Sequence, residues 1–123
     1  MTNFPSPAKG LKIYRSLDLD EGAAEVVKAS AGCLYGLWVT NKATAVRYVK
    51  IYNRTSATAG THTPVITVGI PGNSTDNILA ALAAGGVGIR FDTGICMAAT
   101  TGLADNDTGG PGTNDLIVNA FYI

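Results

Sequence analysis

Cys33-Leu34-Tyr35-Gly36-Leu37-Trp38-Val39-Thr40, the polar link Asn41-Lys42-Ala43-Thr44, and then Val46-Arg47-Tyr48-Val49-Lys50-Ile51-Tyr52-Asn53 form the stretch whose reading decides the fold class. β-Branched and aromatic side chains crowd both flanks of the link. Such residues fit a pleated, half-buried surface, and turn residues bound both runs. The reading is two β-strands joined as a hairpin. The sole Trp and three of the five Tyr lie here, so much of the aromatic core is expected here too.

Outward from this hairpin the same pattern repeats. Leu11, Ile13 and Leu17 alternate with Lys12, Tyr14 and Ser16, which predicts a half-buried strand with the aliphatic residues inward. Ala24 to Ser30 reads as a second short strand. Val26 and Val27 fall on opposite faces there, and Glu25 and Lys28 place it near an edge. Pro64 to Pro71 is a strand closed by proline at each end, where ladder donors can be spared. Residues 72–77 read as a turn-rich loop. Ile78 to Gly86 is ambiguous between a strand and a single helical turn. Val87 to Phe91 and Ile95 to Thr101 are two strands around Asp92-Thr93-Gly94. Leu103 to Asn114 is a long Gly/Asp/Asn loop. Asp115 to Ile123 is a terminal strand expected to be paired inside a sheet.

The 123 residues suit one domain. The expectation is an all-β antiparallel sandwich or jelly-roll-like domain of about eight short strands over residues 11–123. An extended N-terminal arm, residues 1–10, precedes it. Nearly half the residues are apolar, 46%, but many are Ala, so the core should be thin. Nine Lys or Arg against nine Asp or Glu leave no net charge. No run of basic residues offers the phosphate neutralisation that nucleic-acid binding rests on. No apolar run approaches the 18 or so residues of a membrane span, and residues 1–10 have no signal-peptide pattern. Assembly in a cytoplasm follows as the expectation, and the N-x-Thr matches at Asn53, Asn73 and Asn106 then serve only as loop markers. A neutral surface with few charges suits a protein packed against others.

The residues that carry chemistry give no enzyme-like set. Gly85-Gly86-Val87-Gly88 lacks the Lys-Ser/Thr ending and the helix of a phosphate loop. His62 is the only His, so no single-chain metal set forms around it; as a base it would need a Ser and an Asp brought close by the fold. Asp18, Asp20 and Glu21 form a turn without EF-hand spacing, and Asp105, Asp107 and Asp115 border the long loop. For both groups a solvated turn is preferred over a Ca²⁺ site. Cys33 and Cys96 lie in apolar strands and read as free thiols, with a disulfide left open. No catalytic residue, cofactor or metal is expected.

Several stretches together carry a resemblance. They are Tyr48 to Asn53, Ala59 to Ile66, Ile70-Pro71-Gly72, Gly88 to Ile95, Thr100 to Asp107, and Val118 to Tyr122. Over about residues 33–123 the chain resembles small β-sandwich virion proteins of tailed bacteriophages and prophages, the group that includes capsid decoration or cement proteins. The resemblance implies a structural role in the virion, with the major capsid protein or other virion proteins as partners. A homo-oligomer, preferably a trimer, suits the three-fold positions of a capsid lattice. Phe4 and Pro5 of the arm are the candidate partner-binding residues. Two other readings stay open: a tail- or fibre-associated sandwich, and a carbohydrate- or receptor-binding module. The last would need exposed aromatics, for which Tyr14, Tyr35 and Trp38 are the candidates and core packing the blander reading.

Overall fold

The computed structural model describes residues 10–78 and 88–123. Its nine strands are β1 (Lys12–Ser16), β2 (Glu25–Lys28), β3 (Gly32–Asn41), β4 (Arg47–Tyr52), β5 (Ile66–Ile70), β6 (Ser74–Ile78), β7 (Ile89–Phe91), β8 (Ile95–Thr100) and β9 (Leu116–Tyr122). They build two antiparallel sheets. One runs β1-β9-β3-β6, with β7 also on β3; the other runs β2-β8-β4-β5. β6 pairs with the end of β3 and β7 with its beginning, so both fill one position beside that strand. With β6 and β7 taken as one interrupted strand, eight positions remain, and the chain crosses between sheets in jelly-roll order. The expected all-β sandwich is present.

One core lies between the sheets. From the five-stranded sheet it takes Leu34, Leu37, Val39, Phe91, Leu116, Val118 and Ala120; from the other, Val27, Val49, Ile51, Ile70, Ile95, Met97 and Ala99. Antiparallel register stacks these on shared rows, with Leu37 opposite Ala120, Val39 opposite Val118, and Val49 between Ala99 and Val68. Burying one Leu, Ile or Phe side chain contributes about 1.5–3 kcal/mol.

Three expectations are corrected. The strands of the opening stretch both form, but they do not make a hairpin: β3 pairs with β9, β6 and β7, while β4 pairs with β5 and β8 in the other sheet. The link between them is a corner. Asn41, 1% exposed, fixes it. Its Nδ2 donates to the carbonyls of Ala45 (3.0 Å), Ile70 (2.9 Å) and Pro71 (3.2 Å), and its Oδ1 accepts from the amide of Ala43 (2.9 Å). The β5–β6 connection passes against this corner, with the Asn73 amide on the Ala43 carbonyl. A Cβ on Gly72 would overlap the Thr44 carbonyl, so the two connections can approach only with glycine there.

The second correction concerns β1. Leu11, Ile13 and Leu17 are exposed, whereas Ser16 is buried and Tyr14 packs against the core. The inverted face has a polar cause. The Tyr14 hydroxyl donates to Glu25 Oε1 (2.9 Å) and Ser16 Oγ to Glu25 Oε2 (2.7 Å), tying edge strand β1 to edge strand β2 of the opposite sheet. Residues 74–77, expected as loop, begin β6; backbone pairing with β3 makes a strand of a polar sequence. β2 is an edge strand with Val26 and Val27 on opposite faces, as expected, and it is Val27 that is buried. β9 lies between β1 and β3, as a terminal apolar strand should. The arm and the ambiguous stretch beyond Ile78 lie outside the described residues.

Asn41→Ala would leave the Ala43 amide and three carbonyls without their partner. A loss of about 2–3 kcal/mol is expected in urea unfolding, since stranded buried polar groups cost about 1–3 kcal/mol. An effect within experimental error would remove Asn41 from this role.

Burial, with the Glu25 contact adding to it, pushes the Tyr14 hydroxyl up to about 12 from 10.0. The folded chain thus holds this proton more tightly than the unfolded one. The stabilisation is complete below pH 10 and is lost as pH rises toward about 12. In ultraviolet titration Tyr14 should ionise late, and Glu25→Gln should bring its share of the late signal back toward the ordinary value. An unchanged titration in that variant would contradict the contact.

Candidate functional site

The two sheets differ in what covers their outer faces. On β4 and β8 the outward residues are Tyr48, Lys50, Tyr52, Cys96, Ala98 and Thr100, and all but the half-buried Tyr48 are buried. Ala57 and Ala59 of the loop after β4 pack over Tyr52, Cys96 and Ala98 as a second small core. Backbone bonds hold that loop down: the Ala24 amide to the Ala57 carbonyl and the Ala59 amide to the Gly22 carbonyl, each 2.8 Å. The Lys50 ammonium donates to the Ala104 carbonyl of the long loop before β9. Burial pushes the Lys50 amine down, opposed by Asp107 and Asp105, and pushes the Tyr52 phenol up. Two loops thus cover most of this face.

The outer face of the five-stranded sheet is different. Register places Ile13 beside Phe121 beside Gly36, and Arg15 beside Asn119 beside Trp38. Ile117 lies beside Thr40, and Thr40 beside Thr75. Ile13 is 64% exposed and Trp38 49%, with Leu11 and Leu17 open at the margin. Arg15 is the only charged residue named in these rows. At the β3–β6 end an open cleft of about 340 Å³ is lined by Thr40, Asn41, Lys42, Asn73, Ser74 and Thr75.

The other sequence candidates have structural work. His62 Nδ1 accepts from the Thr58 amide (2.9 Å) and closes a local turn. Asp107 Oδ1 accepts from the amides of Gly102 (3.2 Å) and Gly109 (2.8 Å). Asp115 Oδ2 accepts from the Gly112 amide (2.7 Å) and meets Arg47 Nε at 3.4 Å. Asp18 Oδ1 accepts from the Asn114 amide (2.7 Å), and Leu19 between Asp18 and Asp20 is buried, so that acidic turn is packed as well as solvated. Burial and the neighbouring Glu21 push the Asp20 carboxyl up. Among the described residues no group of three or more His, Cys, Asp or Glu is placed to hold a metal ion. Phe4, Pro5 and Gly85-Gly86-Val87 lie outside the described residues.

Of the aromatic candidates, Tyr14 turns inward and only Trp38 is widely exposed, which corrects the expectation of Trp38 as core. The bulge between Leu34 and Gly36 explains it. Leu34 and Leu37 both face inward although they are three positions apart, and the shift sends Trp38 outward. The polar cleft had no sequence signal, because it joins the end of β3 to a turn more than thirty residues away. A scan against protein-family models found no matching family, and searches of curated proteins and of solved structures found no match.

Cys33 and Cys96 are free thiols. Cys96 is buried, donates to the Arg54 carbonyl (3.0 Å), and has its thiol pushed up by burial. In the native protein a thiol reagent should therefore modify Cys33 alone, and Cys96 only after denaturation. Equal native reactivity, or an intact mass showing a disulfide, would contradict this placement.

Proposed function

We propose that this chain is a structural protein of a phage virion that binds the head surface and stabilises it, acting as a capsid decoration protein rather than an enzyme. One observation carries most weight. Among the described residues edge strand β1 pairs only with β9, its Ile13 is open to solvent, and exposed Leu11 and Leu17 flank it. A bare apolar edge is a hazard for a protein that works alone and an asset for one that docks. The arm with Phe4 and Pro5 leads in sequence into β1, which begins at Lys12, and the reading assigns both to one contact. The neutral chain has no strong self-repulsion to oppose assembly, and a homotrimer at three-fold positions of the head is the preferred state. Partners are then the major capsid protein and further copies of the chain, assembled in the host cytoplasm and carried in the virion. Jelly rolls occur in viral capsids and in lectins alike, so the fold is compatible with this role without selecting it.

The alternative, a tail- or receptor-associated module that binds carbohydrate, is favoured by one specific observation, the exposure of Trp38.

The test compares heads with and without the protein in a thermal rupture assay. Heads lacking it should rupture at lower temperature. Ile13→Glu combined with Leu17→Glu should bind heads at least about tenfold more weakly, a change of about 1.4 kcal/mol, with the isolated protein melting unchanged. A chain lacking residues 1–10 should also bind less well. Failure to associate with heads, or an unchanged rupture temperature on binding, would overturn the reading.

A further inference from the structure

We propose that the polar cleft at the β3–β6 end of the five-stranded sheet, together with Trp38, binds one pyranose ring of a glycan. Sugar binding here is independent of head binding, because it uses the opposite margin of the sheet face from β1.

The chemistry of the lining selects among ligand classes. All six residues around the 340 Å³ cleft carry a hydroxyl, an amide or an ammonium group. With no carboxylate among them, a hard cation has no charged oxygen to bind. With no aliphatic or aromatic side chain, an apolar ligand gains little by entering. Lys42 is the only cation, too few for a phosphate clamp of several charges. A neutral polyol remains, and the volume lies at the lower end of ligand pockets, about 300–1,000 Å³.

The hydrogen-bonding groups suit hydroxyls, which both donate and accept. Thr40 Oγ1 and Thr75 Oγ1 share one hydrogen bond at 3.1 Å, so one of the two hydroxyl protons remains free. Ser74 Oγ donates to the Pro71 carbonyl (2.6 Å) and keeps its lone pairs for a ligand donor. Among the described residues, the Lys42 ammonium and the Asn73 side-chain amide have no hydrogen-bond partner. The Asn41 amide is fully engaged within the corner, so the base of the cleft is held rigid before any ligand arrives.

Trp38 supplies what the cleft lacks. It shares the outward face of β3 with Thr40, two residues and about 7 Å along the strand. A pyranose has one face of C–H groups, which packs on an indole, and a rim of hydroxyls, which needs polar partners. An exposed Trp beside a wholly polar cleft offers both. Asn119, opposite Trp38 in the register, extends the polar rim toward a second sugar unit.

Trp38 is the sole Trp, so its fluorescence reports directly on the site. The full-length protein is titrated with glucose, galactose, mannose and N-acetylglucosamine, each as the free sugar and as a linear trisaccharide. At least one series should give a saturable shift in emission, with the trisaccharide tighter. By calorimetry, Trp38→Ala and Thr75→Val should each weaken that binding at least about tenfold at an unchanged melting temperature, and Trp38→Phe should retain it. In the parent protein, amide shifts on binding should centre on Thr40, Asn73 and Thr75. No saturation with any probe, shifts centred elsewhere, or full affinity in both disruptive variants would overturn the proposal. Because the parent titration needs no variant, misfolding of a mutant leaves the outcome decided. Head binding without sugar binding would remove this inference alone, and sugar binding without head binding would remove only the decoration role.

Discussion

The Asn41 side chain is the contact on which this jelly roll turns. Two connections meet there, one carrying the chain from β3 to the opposite sheet and one returning it from β5 to β6. A single amide serves both, giving its protons to carbonyls on each and taking one amide proton in return. Buried in this way, it would be costly if any partner moved. That constraint holds β3 and β4 in different sheets and sets their inner faces against one another. Leu37 and Val39 then share one core with Val49 and Ile51.

The same arrangement divides the surface unequally. The connection after β4 and the one before β9 fold back over the four-stranded sheet and bury Lys50, Tyr52 and Cys96 beneath them. The five-stranded sheet keeps Trp38 and the outward side chains of β1 open to solvent. Isolated exposed apolar residues need no explanation, but Leu11, Ile13 and Leu17 cluster at a strand that among the described residues pairs on one side only. Contact with other proteins along β1 and with a glycan near Trp38 would use separate margins of this one face.

Much of the strand content was legible because β-branched and aromatic residues cluster between turn residues. β4, β5, β8 and β9 follow from that pattern directly. Pairing was not legible. Asn41-Lys42-Ala43-Thr44 has the composition of a hairpin loop, and nothing local says that its Asn will be buried against Ile70. The inversion of β1 was hidden for a related reason: Tyr14 and Ser16 turn inward only because Glu25 of another strand accepts from both. Trp38 was misplaced because aromatic clustering does not say which face a side chain takes, and the bulge before Gly36 turns this one outward. Of the candidate site, Trp38 could be singled out by type, while the cleft beside it exists only once β3 and the β5–β6 turn are brought together.

The division of β3 and β4 between sheets is most directly tested by cross-strand nuclear Overhauser contacts in the folded protein. The jelly-roll arrangement places Trp38 opposite Asn119 and Val39 opposite Val118, with Val49 opposite Ala99 and Val68. Backbone proton contacts should appear across these pairs and be missing between β3 and β4. A ladder of backbone contacts joining residues 37–41 to residues 46–50 would restore the hairpin and contradict the arrangement of the sheet, its corner and its open face.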